Sequence, residues 1–309
     1  MFLNNIIYNL HVYSAMAEKG VVNCAHLRVP DLKRAVRFYT ETLGFAEQSR
    51  AAGVSRLATP AQQGSRCALT LSEGQRGLNR LAVGVSETGF REIESRLTGR
   101  DTDFTRRNAT ETDERRTIQV TLPGGLPIEL YSRGPGQIRG QAPVPSTETS
   151  RAPHGIDHVT LTAADVKADA QFLRDELGFQ LSDIATAGPG IWGRAFASRG
   201  DGTHDVALVM EPLAPSTRLH HVAWRTSDVD HVTRLTERVR TAGFNVDIDT
   251  KTGVRDTRAA VYVRDPAGNR LELTTAATGQ TPAAPIRLSR ADLDDIDALW
   301  PETHPRRTG

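Results

Sequence analysis

The stretch GIDHVTLTAADVKADAQFLRDELGF, residues 155–179, combines three local signals. Its first part alternates polar residues with branched aliphatic ones, which predicts a β-strand. Asp165 then precedes an amphipathic run that ends in Leu-Gly-Phe, so a helix should begin after the aspartate and stop at Gly178. The stretch therefore predicts a strand–helix unit.

The same plan occurs at three further places, and short β-rich runs follow each helix. The further copies lie at residues 22–45, 78–104 and 218–244. Repeats of this kind describe supersecondary units that bury their apolar faces against one another. Four copies of a βαβββ module predict an α+β protein of two tandem domains, with two modules in each.

The pairing of the copies sets the predicted domain boundaries. We expect an N-terminal domain at residues 21–133 and a C-terminal domain at residues 154–275. Residues 134–153 contain three Gly and four Pro in twenty residues, which is the composition of a linker. Residues 1–20 form an N-terminal extension, and residues 276–309 form a tail in which we expect one short helix.

The composition is that of a globular protein and excludes several classes of function. The 309 residues include 38 Lys+Arg and 37 Asp+Glu, so a net charge of +1 gives no electrostatic basis for binding nucleic acid or an anionic membrane. No apolar run approaches the roughly 18 residues that span a bilayer. Cys24 and Cys67 are too few for a disulfide framework, so a cytoplasmic location is expected. Met16 is an alternative start to Met1.

Two histidines and one carboxylate of the second half share a pattern that suggests metal binding. His158, His221 and Glu272 lie on predicted strands whose opposite faces are apolar, with Val159 and Leu161, Val222 and Trp224, and Leu271 and Leu273. Because side chains alternate across a strand, the apolar faces pack beneath the helices and the polar side chains project into the hollow of a curved sheet. Two imidazoles and one carboxylate that converge there would bind Fe(II) and leave adjacent coordination positions open.

A simpler interpretation fits each of these residues alone. A single His or Glu on a strand is more often a solvated surface residue than a ligand. The two histidines, however, occupy equivalent positions in successive repeats, and the carboxylate lies on the closing strand. Pattern alone therefore leaves a metal site and surface residues as alternatives. His220, next to His221, should point to the opposite face and be structural.

Three motifs of the second half resemble signatures of a known family. They are THDVAL at residues 203–208, RLHHVAW at 218–224 and YVRDPAGNRLELTT at 262–275. These motifs, and the spacings of 63 and 51 residues between the three polar strand residues, are similar to those of type I extradiol ring-cleaving dioxygenases of the vicinal oxygen chelate superfamily. The resemblance covers both halves. It implies a curved, barrel-like mixed sheet in each domain, with the helices outside.

The same resemblance implies a function. Members are non-haem Fe(II) enzymes that cleave a catecholic small molecule with O₂ to a muconic semialdehyde-type product, and Mn(II) suits the same ligand set. A homo-oligomer with catalysis only in the C-terminal domain is also implied. The implied metal ligands are His158, His221 and Glu272.

Position by position, the resemblance assigns further roles. His204 matches the family's acid/base histidine, which titrates near neutrality, and Tyr262 matches its active-site tyrosine, a hydrogen-bond donor. Phe196 falls where an aromatic residue lines the substrate pocket. Thr160 stands where many relatives carry Asn, and residues 247–258 lack a histidine often found there, so the substrate's identity stays open. Without the resemblance, we would interpret Tyr262 as an aromatic residue of the core and His204 as an ordinary loop residue.

The first half provides an internal comparison. At the positions that match the three ligands it has Cys24, Arg80 and Glu129. Arginine stays protonated and cannot ligate a cation, so we expect no metal in this domain. We expect Arg80 to pair with Glu129 and to replace the charge of the lost ion. His26 shares the strand face of Cys24 and leaves a degenerate second site as an alternative.

Two other classes of function remain open at this stage. A 4-hydroxyphenylpyruvate-type dioxygenase or a metal-dependent isomerase of the same superfamily would use the fold and the metal, but gives no role to His204 and Tyr262. A non-catalytic small-molecule binding protein would not need the three ligands together.

Overall fold

The computed structural model describes residues 21–59, 68–107, 116–133, 151–199, 204–252 and 259–275. The predicted N-terminal extension, the C-terminal tail with its expected helix, and all but the last three residues of the predicted linker lie outside the described residues.

Two βαβββ modules follow each other in the first half. The first module comprises β1 (Val21–Val29), α1 (Leu32–Arg37) continued by a π-helical turn (Phe38–Thr42), β2 (Ala46–Ala51), β3 (Val54–Ala58) and β4 (Leu69–Glu73). The second comprises β5 (Gly77–Ser86), α2 (Glu87–Gly99), β6 (Thr105–Arg107), β7 (Thr117–Thr121) and β8 (Pro127–Arg133).

The second half repeats this order. Its first module comprises β9 (Gly155–Ala163), α3 (Val166–Asp175), β10 (Gln180–Gly188), β11 (Ile191–Ser198) and β12 (Val206–Met210). Its second comprises β13 (Arg218–Thr226), α4 (Val229–Thr241), β14 (Val246–Thr252), β15 (Ala259–Arg264) and β16 (Arg270–Thr275).

Each half forms one mixed sheet of eight strands. The strand orders are β2-β3-β4-β1-β5-β8-β7-β6 and β10-β11-β12-β9-β13-β16-β15-β14, so the two sheets share one topology. The first strands of the two modules lie antiparallel at the centre, and each is parallel to the last strand of its own module. The predicted α+β fold with two curved, barrel-like mixed sheets is confirmed, and the described strands leave each sheet open at its edges.

Each helix begins directly after a capping residue, and the cap of α3 is Asp165, as the sequence pattern predicts. A side-chain oxygen of the preceding residue accepts a hydrogen bond from the amide three residues further on, which satisfies an otherwise free N–H group. The capping residues are Asp31, Ser86, Asp165 and Asp228. After α3, Gly178 adopts a φ of 72°, a left-handed conformation that favours glycine. The predicted start of this helix is confirmed, and the helix ends at Asp175, three residues before Gly178.

One hydrophobic core extends through both halves. The buried apolar side chains form a single cluster with members from both sheets. Phe38 packs edge-to-face on Phe244, with ring centroids 4.7 Å apart, and Phe45 packs on Trp224 at 4.9 Å. Trp224 is fully buried and lies on β13, the strand of His221. The first half therefore supports a central strand of the second.

Two polar contacts join a helix of one half to a turn of the other half. The Tyr39 hydroxyl donates a hydrogen bond to the buried carboxylate of Asp265 at 3.1 Å. In the second contact the helix belongs to the second half and the turn to the first: the backbone amide of Gly124 donates to the carboxylate of Asp169 on α3 at 2.8 Å. A Cβ at Gly124 would lie 1.8 Å from Oγ1 of Thr217, so this close approach requires glycine. Each half thus uses its first helix to hold the turn before the last strand of the other.

Two further expectations concern the compartment. No helix among the described residues is long and apolar enough to cross a membrane. Cys24 is disulfide-bonded, and the other cysteine of the chain, Cys67, lies outside the described residues. The low cysteine count that led us to expect a cytoplasmic location does not settle the compartment, so that location stays a prediction.

We predict that Tyr39→Phe lowers the free energy of unfolding by about 1–2 kcal/mol, because it removes a buried hydrogen bond to a carboxylate. Urea denaturation followed by circular dichroism measures the change. Thr233→Val, which removes an exposed hydroxyl bonded only within α4, should change it by no more than about 0.5 kcal/mol. Equal stabilities for the Tyr39→Phe variant and the unmodified chain would contradict the prediction.

Candidate metal centre

Three neighbouring strands at the centre of the second sheet carry His158, His221 and Glu272. The strands are β9, β13 and β16, adjacent in that order. His158 and Glu272 lie on either side of Ala223 of β13, and His221 is two residues before it, so all three share one face. Each side chain is buried, with at most 7% of the residue exposed. The predicted convergence of these residues is therefore present in the structure.

The separations of the ligand atoms fit a divalent cation. Nε2 of His221 lies 2.9 Å from Oε2 of Glu272, and Nε2 of His158 lies 3.5 Å from the same oxygen. The two Nε2 atoms are 3.3 Å apart. Ligands bonded at about 2.1 Å to an octahedral ion lie about 3.0 Å apart at right angles. Within the described ranges, no other group of three or more His, Cys, Asp or Glu residues brings all its ligand atoms within 4.8 Å of one another.

The charges of the three groups depend on one another. Burial favours the neutral carboxyl, but hydrogen bonds from His158 and His221 outweigh it and hold the pKa of Glu272 well below its usual value. Burial also lowers the pKa of His158, yet hydrogen bonds to Asp157 and Glu272 raise it to about 9. For His221, burial prevails and lowers the pKa. Without a metal, the site therefore holds one carboxylate and one imidazolium.

β-Bulges displace the residue that precedes each histidine ligand. The pairing of β9 with β13 skips Asp157 on the first strand and His220 on the second. A bulged residue does not follow the strict alternation of a strand. The ring of His220 accordingly lies beside His221, with Nδ1 atoms 2.5 Å apart and ring centroids 4.8 Å apart. The expectation that His220 points to the opposite face is wrong for this reason.

His204 and Phe196 form a stack beside the ligands. The ring centroid of His204 lies 4.4 Å from that of His158 and 4.2 Å from that of Phe196, to which it is nearly parallel. The guanidinium carbon of Arg194 lies 4.7 Å from the centroid of the Phe196 ring. An imidazole in this place can exchange a proton with a molecule bound next to His158.

Tyr262 and Thr160 approach the ligands from other strands. Tyr262 on β15 is directly opposite Glu272, and its ring centroid lies 5.3 Å from that of His221. Burial, and then the charge and hydrogen bond of Glu272, raise the pKa of Tyr262 well above its usual value, so its hydroxyl stays protonated. Oγ1 of Thr160 lies 3.0 Å from Nε2 of His221. The structure thus brings all the predicted site residues together.

The first sheet carries an ion pair at the corresponding place. Cys24 and Glu129 both lie opposite Ala82, the same register that relates the outer two ligands in the second sheet. Nε of Arg80 lies 3.0 Å from the Glu129 carboxylate, so the predicted ion pair is confirmed. Burial, together with the charges of Arg80 and Arg56, lowers the pKa of His26 to about 3.

Sequence reasoning missed two residues at this site. Asp157 accepts a hydrogen bond from Nδ1 of His158 at 2.9 Å. Strict alternation along the strand would place its side chain on the apolar face, and no pattern in the sequence reveals the bulge. Arg270 donates to Nε2 of His220 at 3.0 Å and lies over the ring of Tyr262. Its place was visible in the sequence, because it shares a strand face with Glu272.

A comparison with protein families agrees with this arrangement. The model of the Glyoxalase/Bleomycin resistance protein/Dioxygenase superfamily matches residues 20–130 and 155–273, well over half of the chain. The chain belongs to this superfamily. The two matched segments coincide with the two sheets, so each half is one copy of the superfamily's unit. The membership predicted from the sequence motifs is confirmed.

Curated relatives share low sequence identity with the chain. The manganese-dependent 2,3-dihydroxybiphenyl 1,2-dioxygenase of Geobacillus genomosp. 3 is 26% identical over 172 residues, which cover 53% of the chain and 55% of the relative. The metapyrocatechase of Geobacillus stearothermophilus is 23% identical over 270 residues, which cover 82% of the chain and 80% of the relative. The chain thus matches about half of the first relative and most of the second.

Two solved structures share the fold of both halves. The 2,3-dioxygenase LapB from Pseudomonas sp. KL28 superposes with a TM-score of 0.75 at 24% identity, covering 87% of the chain and 97% of that structure. Homoprotocatechuate 2,3-dioxygenase from Arthrobacter globiformis superposes with a TM-score of 0.71 at 21% identity, covering 90% and 86%. At these identities the likeness supports the architecture.

We predict that metal affinity rises about tenfold per pH unit between pH 6 and 8 and levels off above pH 9. A metal binds only the unprotonated imidazole, and the pKa of His158 is about 9 in the metal-free protein. Competition between the protein and a chromogenic chelator for Mn(II) at several pH values measures this slope. Calorimetry in two buffers of different ionisation enthalpy should detect release of about one proton per ion at pH 7. An affinity independent of pH would contradict the prediction.

Proposed function

We propose that the chain is a non-haem Fe(II)-dependent extradiol dioxygenase. It would cleave the ring of a catecholic aromatic with O₂ to a muconic semialdehyde-type product. The observation that carries the proposal is the buried triad of His158, His221 and Glu272 with His204 and Tyr262 against it. Relatives named as iron-dependent and as manganese-dependent dioxygenases both occur, and this ligand set accepts either metal.

The donor set suits a catecholate as the bound molecule. When bound, the metal supplies adjacent open positions that hold a catecholate and O₂ together and so remove much of the entropic cost of their meeting. Two neutral imidazoles and one carboxylate leave a charge near +1 on a divalent ion, which favours an anionic substrate. The burial of the three ligands limits the access of water and strengthens this attraction.

His204 is the residue that we assign to proton transfer. It stands between the ring of His158 and the ring of Phe196, so one face of its imidazole is shielded from solvent. An imidazole nitrogen there can take the proton of a catechol hydroxyl and later return a proton to oxygen. The stack with Phe196 fixes the plane of the imidazole, which keeps the transfer distance short.

Tyr262, Phe196 and Thr160 are assigned to orienting the substrate. Tyr262 stays protonated because of burial and its position opposite Glu272, so its hydroxyl can donate a hydrogen bond to a substrate oxygen. The aromatic face of Phe196 offers a surface for the edge of a planar ring. The Thr160 hydroxyl beside His221 can accept or donate a hydrogen bond at the same oxygen.

The two halves receive different roles in this proposal. The C-terminal half would perform the chemistry, and the N-terminal half would serve as a scaffold whose Arg80–Glu129 pair excludes a metal. The domain boundaries at residues 21–133 and 154–275, the linker between them, a homo-oligomeric state and a cytoplasmic location remain predictions.

Oxygen uptake tests the proposal directly. Protein reconstituted with Fe(II) without oxygen should bind about one ion per chain, and added catechols should consume O₂ and give a yellow product. His221→Ala and Glu272→Ala should each lose metal and turnover, because two ligands hold a divalent ion poorly. Full metal content and turnover in these variants would refute the site. Metal binding without O₂ uptake across a panel of catechols would favour an isomerase of the superfamily, and no metal binding would favour a binding protein.

We predict that His204→Ala retains the metal but slows ring opening by on the order of 10²-fold or more, because general acid–base catalysis contributes that much. Stopped-flow absorbance of the product measures the rate, and metal analysis confirms the loading. His154→Ala removes a histidine that contacts His231 outside the site and should leave the rate within about twofold. A His204→Ala rate equal to that of the unmodified chain would remove its assigned role.

A further inference from the structure

The carboxylate of Asp157 lies next to the first histidine ligand but is not one of the three ligands. Asp157 precedes His158 on β9 and is the residue that the pairing with β13 skips. In a regular strand its side chain would point away from that of His158 and into the apolar layer. The bulge instead turns the carboxylate toward the imidazole, so Oδ1 lies 2.9 Å from Nδ1 of His158.

The Asp157 carboxylate is itself held in place. Its other oxygen, Oδ2, lies 3.5 Å from Nε of Arg225. Arg225 is anchored in turn, because its Nη2 donates to the carbonyl of Ile156 at 3.1 Å. Only 14% of the Asp157 side chain is exposed. The acceptor that faces His158 is therefore fixed by a guanidinium and by the strand itself.

This contact determines which nitrogen of His158 can bind a metal. An ionised carboxylate only accepts hydrogen bonds, so Nδ1 must carry the proton. The lone pair of the neutral ring then resides on Nε2, the atom that lies 3.3 Å from Nε2 of His221. A ring rotated about its axis would lose the bond to Asp157. The carboxylate thus selects both the tautomer and the orientation that the metal site needs.

The first half shows the same bulge without the carboxylate. The pairing of β1 with β5 skips Asn23, which precedes Cys24 just as Asp157 precedes His158. Oδ1 of Asn23 accepts a hydrogen bond from the backbone amide of Gly84 at 3.2 Å and so serves the sheet. The bulge is therefore a property of the module, whereas the carboxylate is found at this bulge only in the half that has the metal triad.

We propose that Asp157 is a positioning residue that fixes His158 for binding of a divalent metal through Nε2. The proposal rests on the metal site of the proposed function but adds a residue outside the ligand set. Partners of this kind typically change metal affinity 10- to 100-fold when they are removed. A residue that only stabilised the bulge would alter folding and leave metal affinity intact.

Metal affinity of the full chain tests this role without any catechol. Asp157→Asn keeps the shape of the side chain but no longer requires a donor at Nδ1, and Asp157→Ala removes the acceptor. Asp157→Glu keeps the carboxylate. Mn(II) affinity of each variant is measured by competition with a chromogenic chelator, and the thermal unfolding midpoint of the metal-free protein is measured in parallel. Asn23→Ala, at the equivalent bulge of the first half, is the matched control.

We expect Asp157→Asn and Asp157→Ala to bind Mn(II) about 10- to 100-fold more weakly. Asp157→Glu should recover most of the affinity, and Asn23→Ala should bind like the unmodified chain. Equal affinity for Asp157→Asn and the unmodified chain would overturn the proposal, as would an equal loss in the Asn and Glu variants. If the unmodified chain binds no Mn(II) or Fe(II), the proposed function fails instead, so the two failures are distinguishable.

Discussion

The structure of the second half depends on how the charges of three buried polar side chains are balanced. His158, His221 and Glu272 are almost fully shielded from water, and a buried carboxylate is costly unless a cation compensates it. In the metal-free protein an imidazolium supplies that charge, which is why the pKa of His158 rises while that of Glu272 falls. A divalent ion can replace the proton without any movement of the strands. The same electrostatic requirement thus serves folding and metal binding.

The rest of the molecule keeps these strands from moving apart. The opposite faces of the ligand strands lie in a core that both halves share, with Trp224 packed against Phe45 of the first half. The turn between β15 and β16, which precedes the strand of Glu272, is held by the Tyr39 hydroxyl on Asp265. The first half, which has no metal triad among its described residues, therefore contributes directly to the geometry of the half that has one.

Much of this could be predicted from the sequence. The fourfold repeat gave the order of strands and helices, and the period-two pattern put His158, His221 and Glu272 on one face. The comparison of the halves identified the Arg80–Glu129 pair. The contacts of His220 and Asp157 could not be predicted, because a β-bulge adds one residue to a strand and reverses the face of its side chain without a mark in the sequence. The Tyr39–Asp265 bond joins residues 226 positions apart, which no local pattern can relate.

The Arg80–Glu129 pair has a consequence for how the chain responds to metal shortage. The cation of Arg80 is covalently part of the chain, so the Glu129 carboxylate of the first sheet is neutralised whether or not a metal ion is present. Loss of a metal from the second sheet would therefore leave the first sheet unchanged, including the side chains with which it packs against its neighbour.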